Sequence, residues 1–461
     1  MTQNTNTTSA DAVPASNKMQ NMASRCYQQE SLPISSEPLD VAVKLVRQLD
    51  ANSYVLYERD GEWSLGVGRA LGITLDANGT LRRSDGKFWQ AAVPGAAIAK
   101  ALTDVPFSEW RLYGTADFEL ACLTYGVENT LNPGTLLKLT IPFSEVRIRK
   151  GTVLLRSLGD QEMSHLKAML RAADDTLPLQ SGVPVHLDVR ATGCEQYQRM
   201  VASAVEEMQA RRYQKVILSR AVDVPVAVDM ITSYGVGRKF NTPARSFLLK
   251  DGEFQAYGFS PEIVVTVDAK GSATTQPLAG TRALTGNQEV NQHLRQELET
   301  DVKEIAEHAV SVKLAVAEIS AVCQRKSVVV EDFMNVLERG SVQHLASHVK
   351  GVLAENATAW MVFEKLFPAV TASGIPKKEA LESIIRHEGR MRGLYSGCVL
   401  IADSDGALDA ALVLRSVYRD GEHCWLQAGA GLVPHSTPER ECEETSEKLA
   451  SVAPYLYAQG T

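Results

Sequence analysis

The stretch RSFLLKDGEFQAYGFS, residues 245 to 260, sets two runs of strand-forming residues on either side of Asp251-Gly252. An Asp-Gly pair takes the left-handed turn conformations that match strand twist, so this pattern predicts a β-hairpin. Asp60-Gly61, Asp405-Gly406 and Asp420-Gly421 repeat the signal, the last inside ALVLRSVYRDGEHCWLQAGAGL. Further strand-like runs are SYVLYERD, LLKLTIPF, YQKVILSRAVDVPV, EIVVTV and SGCVLIAD. So many short-turn connections call for antiparallel sheet rather than a doubly wound parallel one. The glycines of GVGRALG follow the same logic: they read as a turn, since no third glycine leads from a strand into a helix. From DVAVKLVRQL onward helical and strand-like segments alternate, with helical patterns over residues 194–212, 292–322 and 439–457.

Residues 1 to 35 are rich in Thr, Asn, Ser, Ala and Gln and poor in branched aliphatics, which predicts a disordered polar tail. The rest, 36 to 461, shows no long linker; the weakest candidate boundary is RAADDTLPLQSGVP, residues 171–184, and one large domain is expected. The chain has 461 residues and a net charge of −8, with no basic stripe, so a nucleic-acid partner is excluded. No apolar run approaches the ~18 residues of a membrane span and the start lacks a secretory layout, so no membrane partner is expected. Seven scattered cysteines without C-x-x-C spacing suggest neither a disulfide framework nor a zinc site, and point to a reducing cytoplasm.

The last helical segment opens PERECEETSEKL, where Ser436, or Thr437 with Pro438 at the first helical position, supplies the start. At 100° per residue Cys442, Thr445, Leu449 and Val452 form one core stripe. Glu439, Glu443 and Glu447 point away from it; Glu441, Glu444 and Lys448 flank it. A second pair at the same spacing, Glu304 and Glu307 in KEIAEHAVSV, flanks a stripe of Leu298, Ile305, Ala309, Val312 and Val316. Val310 and Leu314 argue that the far side of that helix is not plainly wet. Like charges at i, i+3 weaken an isolated helix by about 0.2 to 0.5 kcal/mol. Each pair is either an ordinary solvated face or half of an all-oxygen cluster suited to a hard ion such as Mg²⁺.

Ten ordered motifs narrow the choice: YQKVILSRAV, FSPEIVV, QPLAGTRALTG, KEIAEHAVSV, ERGSVQHLAS, FPAVTASGIPK, RGLYSG, LDAALVLRS, AGAGLV and PERECEETSEKL. Together they resemble the chorismate-utilising enzymes, and within them the salicylate synthases of siderophore pathways, densely from about residue 195 and more loosely from residue 40. The resemblance implies an α+β fold, a single large domain of two packed antiparallel β-sheets flanked by helices. It implies Mg²⁺ held directly by Glu307 and Glu444 and mainly through waters by Glu304 and Glu441.

The same resemblance implies chorismate as substrate, with Lys215 as the base that activates water and Glu262 as the acid that protonates the departing 4-hydroxyl. A lysine pKa lowered and a glutamate pKa raised by burial would suit those roles. Substrate contacts carried over are Gly280, Thr281, His344, Thr371, Tyr395, Arg415, Gly429 and Lys448, while His308 is left as structural. Relatives that add ammonia usually have glutamine at the position of Lys215, so water is the expected nucleophile and no amidotransferase subunit is expected. Ala279 stands where some relatives carry an attacking lysine, so no covalent adduct is expected. VLYERD replaces the element that binds feedback tryptophan in anthranilate synthases. Gln276, where relatives often have glutamate, is a departure without an assigned role. The expected activity is conversion of chorismate to salicylate and pyruvate through isochorismate, by a monomer or homodimer. The alternatives are an isochorismate synthase that releases its product and a catalytically inactive chorismate-binding homologue.

Overall fold

The computed structural model describes residues 26–131, 133–175, 182–339 and 342–460. Among these, two large antiparallel sheets face each other, with helices on their outer surfaces. The first sheet has eleven strands and runs from Gln28–Pro33 at one edge, through the hairpin Arg245–Asp251 and Phe254–Ser260, to His423–Leu432, Lys215–Val224 and the short edge strand Gly374–Ile375. The second has twelve and runs from Leu278–Ala283 and Val342–Val352, through Leu408–Leu412, Cys398–Asp403 and Arg111–Ala116, to Phe88–Gln90. The expected hairpin at Asp251-Gly252 forms in register, with Arg245 opposite Ser260 and Asp251 opposite Phe254. Gly252 takes a φ of +64°, which explains why glycine follows the aspartate there. Gly68, in GVGRALG, likewise sits at a turn with φ of +68°.

Between the sheets Tyr57, Phe247, Leu249 and Tyr418 of the first meet Tyr113, Val399, Ile401 and Ala411 of the second. Burying a side chain such as Phe247 contributes about 1.5–3 kcal/mol. Polar groups lock the same interface: Arg245 grips both oxygens of Asp409 at 2.9 and 2.8 Å, and Tyr57 donates to Asp409 at 2.6 Å. Two further cores lie under the helices on the outer faces.

Several expectations need correction. Residues 1–25 of the expected tail lie outside the described residues, but Gln28–Pro33 is a strand paired with Thr152–Ser157. Its partner is over a hundred residues away, so local composition carried no sign of it. The 292–322 segment is two helices, Gln288–Thr300 and Val302–Ser320, broken at Asp301. The Asp301 side chain accepts from the backbone N–H groups of Lys303 and Glu304 and so starts a new helix. The core stripe of the second helix is also rotated from the expected one: His308, Ser311, Val312, Ala315 and Ile319 are buried, and Val310 is 40% exposed. The last helix runs Pro438–Leu449 and stops short of residue 457; a turn follows it, and a single 3-10 turn spans Ala453–Tyr455. Helix Cys194–Gln209 ends three residues early, where Arg211 takes a φ of +62°. Finally, Cys194 and Cys442 form a disulfide across 248 residues, against the expectation of none. Spacing rules see only neighbours in sequence, whereas here two distant helices bring the thiols together.

Candidate active site

Strands Lys215–Val224 and His423–Leu432 pair antiparallel, with Ile217 opposite Gly431 and Ser219 opposite Gly429. Alternation along a strand puts Lys215, Ile217 and Ser219 on one face, beside Gln427, Gly429 and Gly431. Two of those glycines make room. A Cβ on Gly429 would sit 3.0 Å from the Tyr395 hydroxyl and 2.7 Å from the Leu218 carbonyl, and one on Gly431 would sit 3.3 Å from Lys215 Cε. The opposite wall comes from the edge of the second sheet, where Gly280 turns with a φ of +65°. The helices Val302–Ser320 and Pro438–Leu449 close the sides. The enclosed cavity is about 400 Å³, and every site residue singled out above, catalytic, substrate-binding and metal-binding alike, lines it.

Lys215 is 8% exposed, with Nζ 3.5 Å from Glu307 Oε2. Glu262 is 4% exposed, and its Oε1 accepts a 2.6 Å hydrogen bond from the Thr371 hydroxyl. Burial pushes the Glu262 pKa up to about 8, against the pull of Thr371, Lys215 and Lys448, so the carboxyl keeps its proton at neutral pH. His344 Nδ1 lies 3.0 Å from the Gly280 carbonyl and 3.2 Å from the Thr281 hydroxyl, and Nε2 lies 3.3 Å from Arg415 Nη2. A guanidinium only donates, so Nε2 accepts and the proton sits on Nδ1, donated to Gly280. Burial and Arg415 hold the His344 pKa down to about 3, so the ring is neutral. Arg415 donates to the Arg339 carbonyl and has no carboxylate partner among the described residues. Burial and Arg339 lower its pKa to about 10. A half-buried guanidinium without a counter-ion is a ready grip for an anionic ligand.

The terminal helix divides its glutamates as its winding predicts: Glu439, Glu443 and Glu447 are exposed, Glu441 is 3% exposed, and Cys442, Thr445, Leu449 and Val452 are buried. Thr437 is the cap residue, without a side-chain bond, and Pro438 opens the helix. Lys448 bridges Glu444 at 2.9 Å and the Gly429 carbonyl at 2.8 Å. Burial, then Glu444, push the Glu441 pKa up to about 7, whereas Lys448 holds Glu444 below its ordinary value despite burial. On the other helix burial, then Glu307, raise Glu304, which faces Arg282 at 3.3 Å.

The donor set suits a hard divalent cation. All four groups are carboxylates on one cavity, two of them carry pKa values raised in part by a like-charged neighbour, and Glu307 Oε1 is buried without a hydrogen bond. Among the described residues no three of these groups stand close enough to surround one ion, because Glu304 turns to Arg282, Glu307 to Lys215 and Glu444 to Lys448.

Some cavity residues were not picked out from sequence. Arg282 ties Glu304 to Asp301, bonding the latter at 2.8 Å, and Lys303 lies 3.9 Å from Glu307. Arg282 stands inside the quoted GTRAL motif, and its position next to Thr281 was the available signal. Gln427 donates to Ser219 at 2.9 Å and also lines the cavity. His308 bonds Ser347 at 2.7 Å and Gln276 bonds His348 at 2.9 Å; neither lines the cavity.

The sequence profile of the chorismate binding enzyme family matches residues 51–454. A salicylate synthase from Mycolicibacterium paratuberculosis is 42% identical over 441 residues, covering 93% of this chain and 96% of that one. Anthranilate synthase component 1 from Spirochaeta aurantia is 36% identical over 259 residues, covering 56% and 54%. Among solved structures, anthranilate synthase component I from Streptococcus pneumoniae superposes with a TM-score of 0.72 at 23% identity, covering 88% and 93%. The menaquinone-specific isochorismate synthase from Escherichia coli gives 0.71 at 21%, covering 95% and 98%. At such identities the structural likeness bears on the fold, which is the expected α+β pair of antiparallel sheets with flanking helices. With the profile spanning most of its length and a relative alike from end to end, the chain belongs to the chorismate binding enzyme family.

Proposed function

We propose that the protein is a Mg²⁺-dependent salicylate synthase that converts chorismate to salicylate and pyruvate through isochorismate. The observation that carries this reading is the presence in one cavity of a buried lysine and a buried glutamate that still holds its proton. The choice of product rests on the end-to-end likeness to a salicylate synthase.

In the first step Lys215 accepts a proton from water as its oxygen bonds to C2 of the ring. The ring double bond shifts, the C4–O bond breaks, and Glu262 delivers its proton to the leaving hydroxyl. Thr371 keeps the Glu262 carboxyl oriented through its hydrogen bond. Arg415, Tyr395 and Lys448 receive the substrate carboxylates, and neutral His344 fixes the Arg415 guanidinium. Glu304, Glu307, Glu441 and Glu444 would hold Mg²⁺, which supplies charge neutralisation for the ring carboxylate. In the second step an intramolecular hydrogen transfer expels pyruvate, and the cavity walls contribute by holding the reactive conformer.

The reading places the enzyme in the cytoplasm, supplying siderophore biosynthesis without an amidotransferase subunit, as a monomer or homodimer. The test is incubation of the purified protein with chorismate and Mg²⁺, following salicylate fluorescence and pyruvate release. Salicylate and pyruvate in equal amounts are expected; accumulation of isochorismate without salicylate overturns the product, and intact chorismate overturns the activity.

A further inference from the structure

Strand Lys215–Val224 has only a short neighbour on its outer side. The edge strand Gly374–Ile375 pairs with Lys215 and Val216 and stops there, and the Ser373 carbonyl accepts from the Ile217 N–H at 2.9 Å. Two side chains continue where that strand ends. The Arg392 guanidinium donates to the Ile217 carbonyl at 2.7 Å, and the Glu388 carboxylate accepts from the Ser219 N–H at 2.7 Å and the Ser219 hydroxyl at 3.0 Å. Buried backbone groups need such partners. Glu388 ends the helix Lys377–Glu388, and Arg392 grips both its oxygens, at 2.5 and 3.0 Å, with the two side chains 2% and 1% exposed. Taking two charges out of water is costly, and an apolar pair of similar volume is often as stable. What this pair adds is reach. Arg392 also donates to the Ala372 carbonyl at 2.8 Å, and Ala372 follows Thr371, whose hydroxyl holds Glu262. The same guanidinium lies 5.6 Å from the centre of the Tyr395 ring. Lys215, Ile217, Thr371, Ala372 and Tyr395 line the catalytic cavity, and Glu388 and Arg392 stand behind them.

We propose that Glu388 and Arg392 are positioning residues: their pair holds the Lys215 strand and the Thr371 segment at a fixed separation, so that the base and the acid meet one substrate in the productive geometry. Neither residue touches the substrate; each acts through backbone that carries a group which does. This role rests on the salicylate reading. A planar guanidinium suits it because its donors leave in several fixed directions, here to one carboxylate and two carbonyls at once.

The test is Arg392→Lys in the full-length protein, which keeps the charge while its single ammonium cannot span both carbonyls and the carboxylate. Arg156→Lys is the control, since Arg156 is a buried partner of Glu145, at 2.6 Å, outside the cavity lining. Chorismate consumption with Mg²⁺ is followed whatever the product. In Arg392→Lys kcat is expected to fall about a hundredfold with KM within about twofold, whereas Arg156→Lys loses thermal stability and keeps kcat within about threefold. An unchanged kcat in Arg392→Lys, a loss confined to KM, or an equal loss in the control overturns the positioning role. A second readout needs no turnover: the infrared carbonyl band of protonated Glu262, assigned with Glu262→Gln, titrates at about pH 8 in the wild type. The Thr371 bond pulls that value down, so loosening Thr371 in Arg392→Lys should raise the midpoint, by about one pH unit. An unmoved midpoint overturns the link to Thr371. Should Arg392→Lys fail to fold, Glu388→Gln, which keeps the shape and an accepting oxygen, takes its place with the same expectations. A wild type that leaves chorismate intact overturns the salicylate reading instead, and the infrared titration then decides the coupling alone.

Discussion

The helices Val302–Ser320 and Pro438–Leu449 carry glutamates at the same spacing, yet their surroundings treat the two pairs differently. The terminal helix is anchored on the first sheet and on helix Cys194–Gln209: the Cys194–Cys442 disulfide ties it, and Arg220 donates to Thr445 at 2.8 Å and to Ser446 at 2.9 Å. Burial and Lys448 split its pair, Glu441 favouring the protonated form and Glu444 the ionised one. The other helix leans on the second sheet and starts at an exposed Val302, 79% accessible. Its glutamates each have a cation of their own, Arg282 for Glu304 and Lys215 for Glu307. An ion shared by both pairs must draw Glu304 from Arg282 and must displace a proton from Glu441. The same four-residue spacing therefore makes one fixed half and one adjustable half of a site.

The comparison breaks first on charge. Glu307→Gln and Glu444→Gln are each expected to lower Mg²⁺-supported chorismate turnover by about a thousandfold, measured at saturating metal, because each removes an anionic oxygen donor. Normal turnover in either variant would remove that helix from the site. The second expectation concerns protons. Glu441, with its pKa near 7, holds a proton below that value and must release it to bind an ion. Mg²⁺ affinity, measured calorimetrically, should therefore tighten as pH rises through 7, by up to about tenfold per unit on the acid side, and Glu441→Gln should flatten the slope. An affinity independent of pH across that window contradicts the assignment.

Capping gives a smaller contrast. Asp301→Ala removes two hydrogen bonds to helix N–H groups and should cost about 1 kcal/mol in denaturant unfolding. Thr437→Ala removes a cap residue that makes no such bond and should cost less. Equal losses would show that the two helix starts are held alike. The smallest effect belongs to Glu443→Gln on the solvated side of the terminal helix. Its bond to Arg440, at 3.2 Å, joins two exposed side chains, so stability should change by under about 0.5 kcal/mol and turnover should not change.

Much of this arrangement was legible in the chain itself, and the reasons are local. Asp-Gly turns between alternating strands determine their own hairpins, and an amphipathic helix declares its buried stripe, so the three-to-two division of the glutamates in PERECEETSEKL stands in the structure. What was not legible depends on distant partners. The strand at Gln28–Pro33 exists because Thr152–Ser157 is there to pair with it. The stripe of Val302–Ser320 turned because His308 and Ser311 are polar residues held inside: His308 Nε2 bonds Ser347, and the Ser311 hydroxyl donates to the Glu307 carbonyl. A hydrophobicity pattern assigns such residues to solvent. Asp301 is a residue type that starts helices, but the apolar periodicity on both sides concealed the break. The motifs brought the site residues to notice; the burial that sets the protonation of Glu262 and His344, and the hydrogen-bond partners that orient them, emerge only from the folded contacts.

The Cys194–Cys442 bond turns the stretch between those two residues into a covalent ring. Lys215, Glu262, Glu304, Glu307, His344 and Arg415 lie within that ring, and only Glu444 and Lys448 among the site residues lie beyond its closing cysteine. A protease that cuts one exposed loop inside the ring leaves two pieces that cannot diffuse apart. Such a nicked protein runs as one species on a non-reducing gel and separates only when a thiol reductant opens the ring.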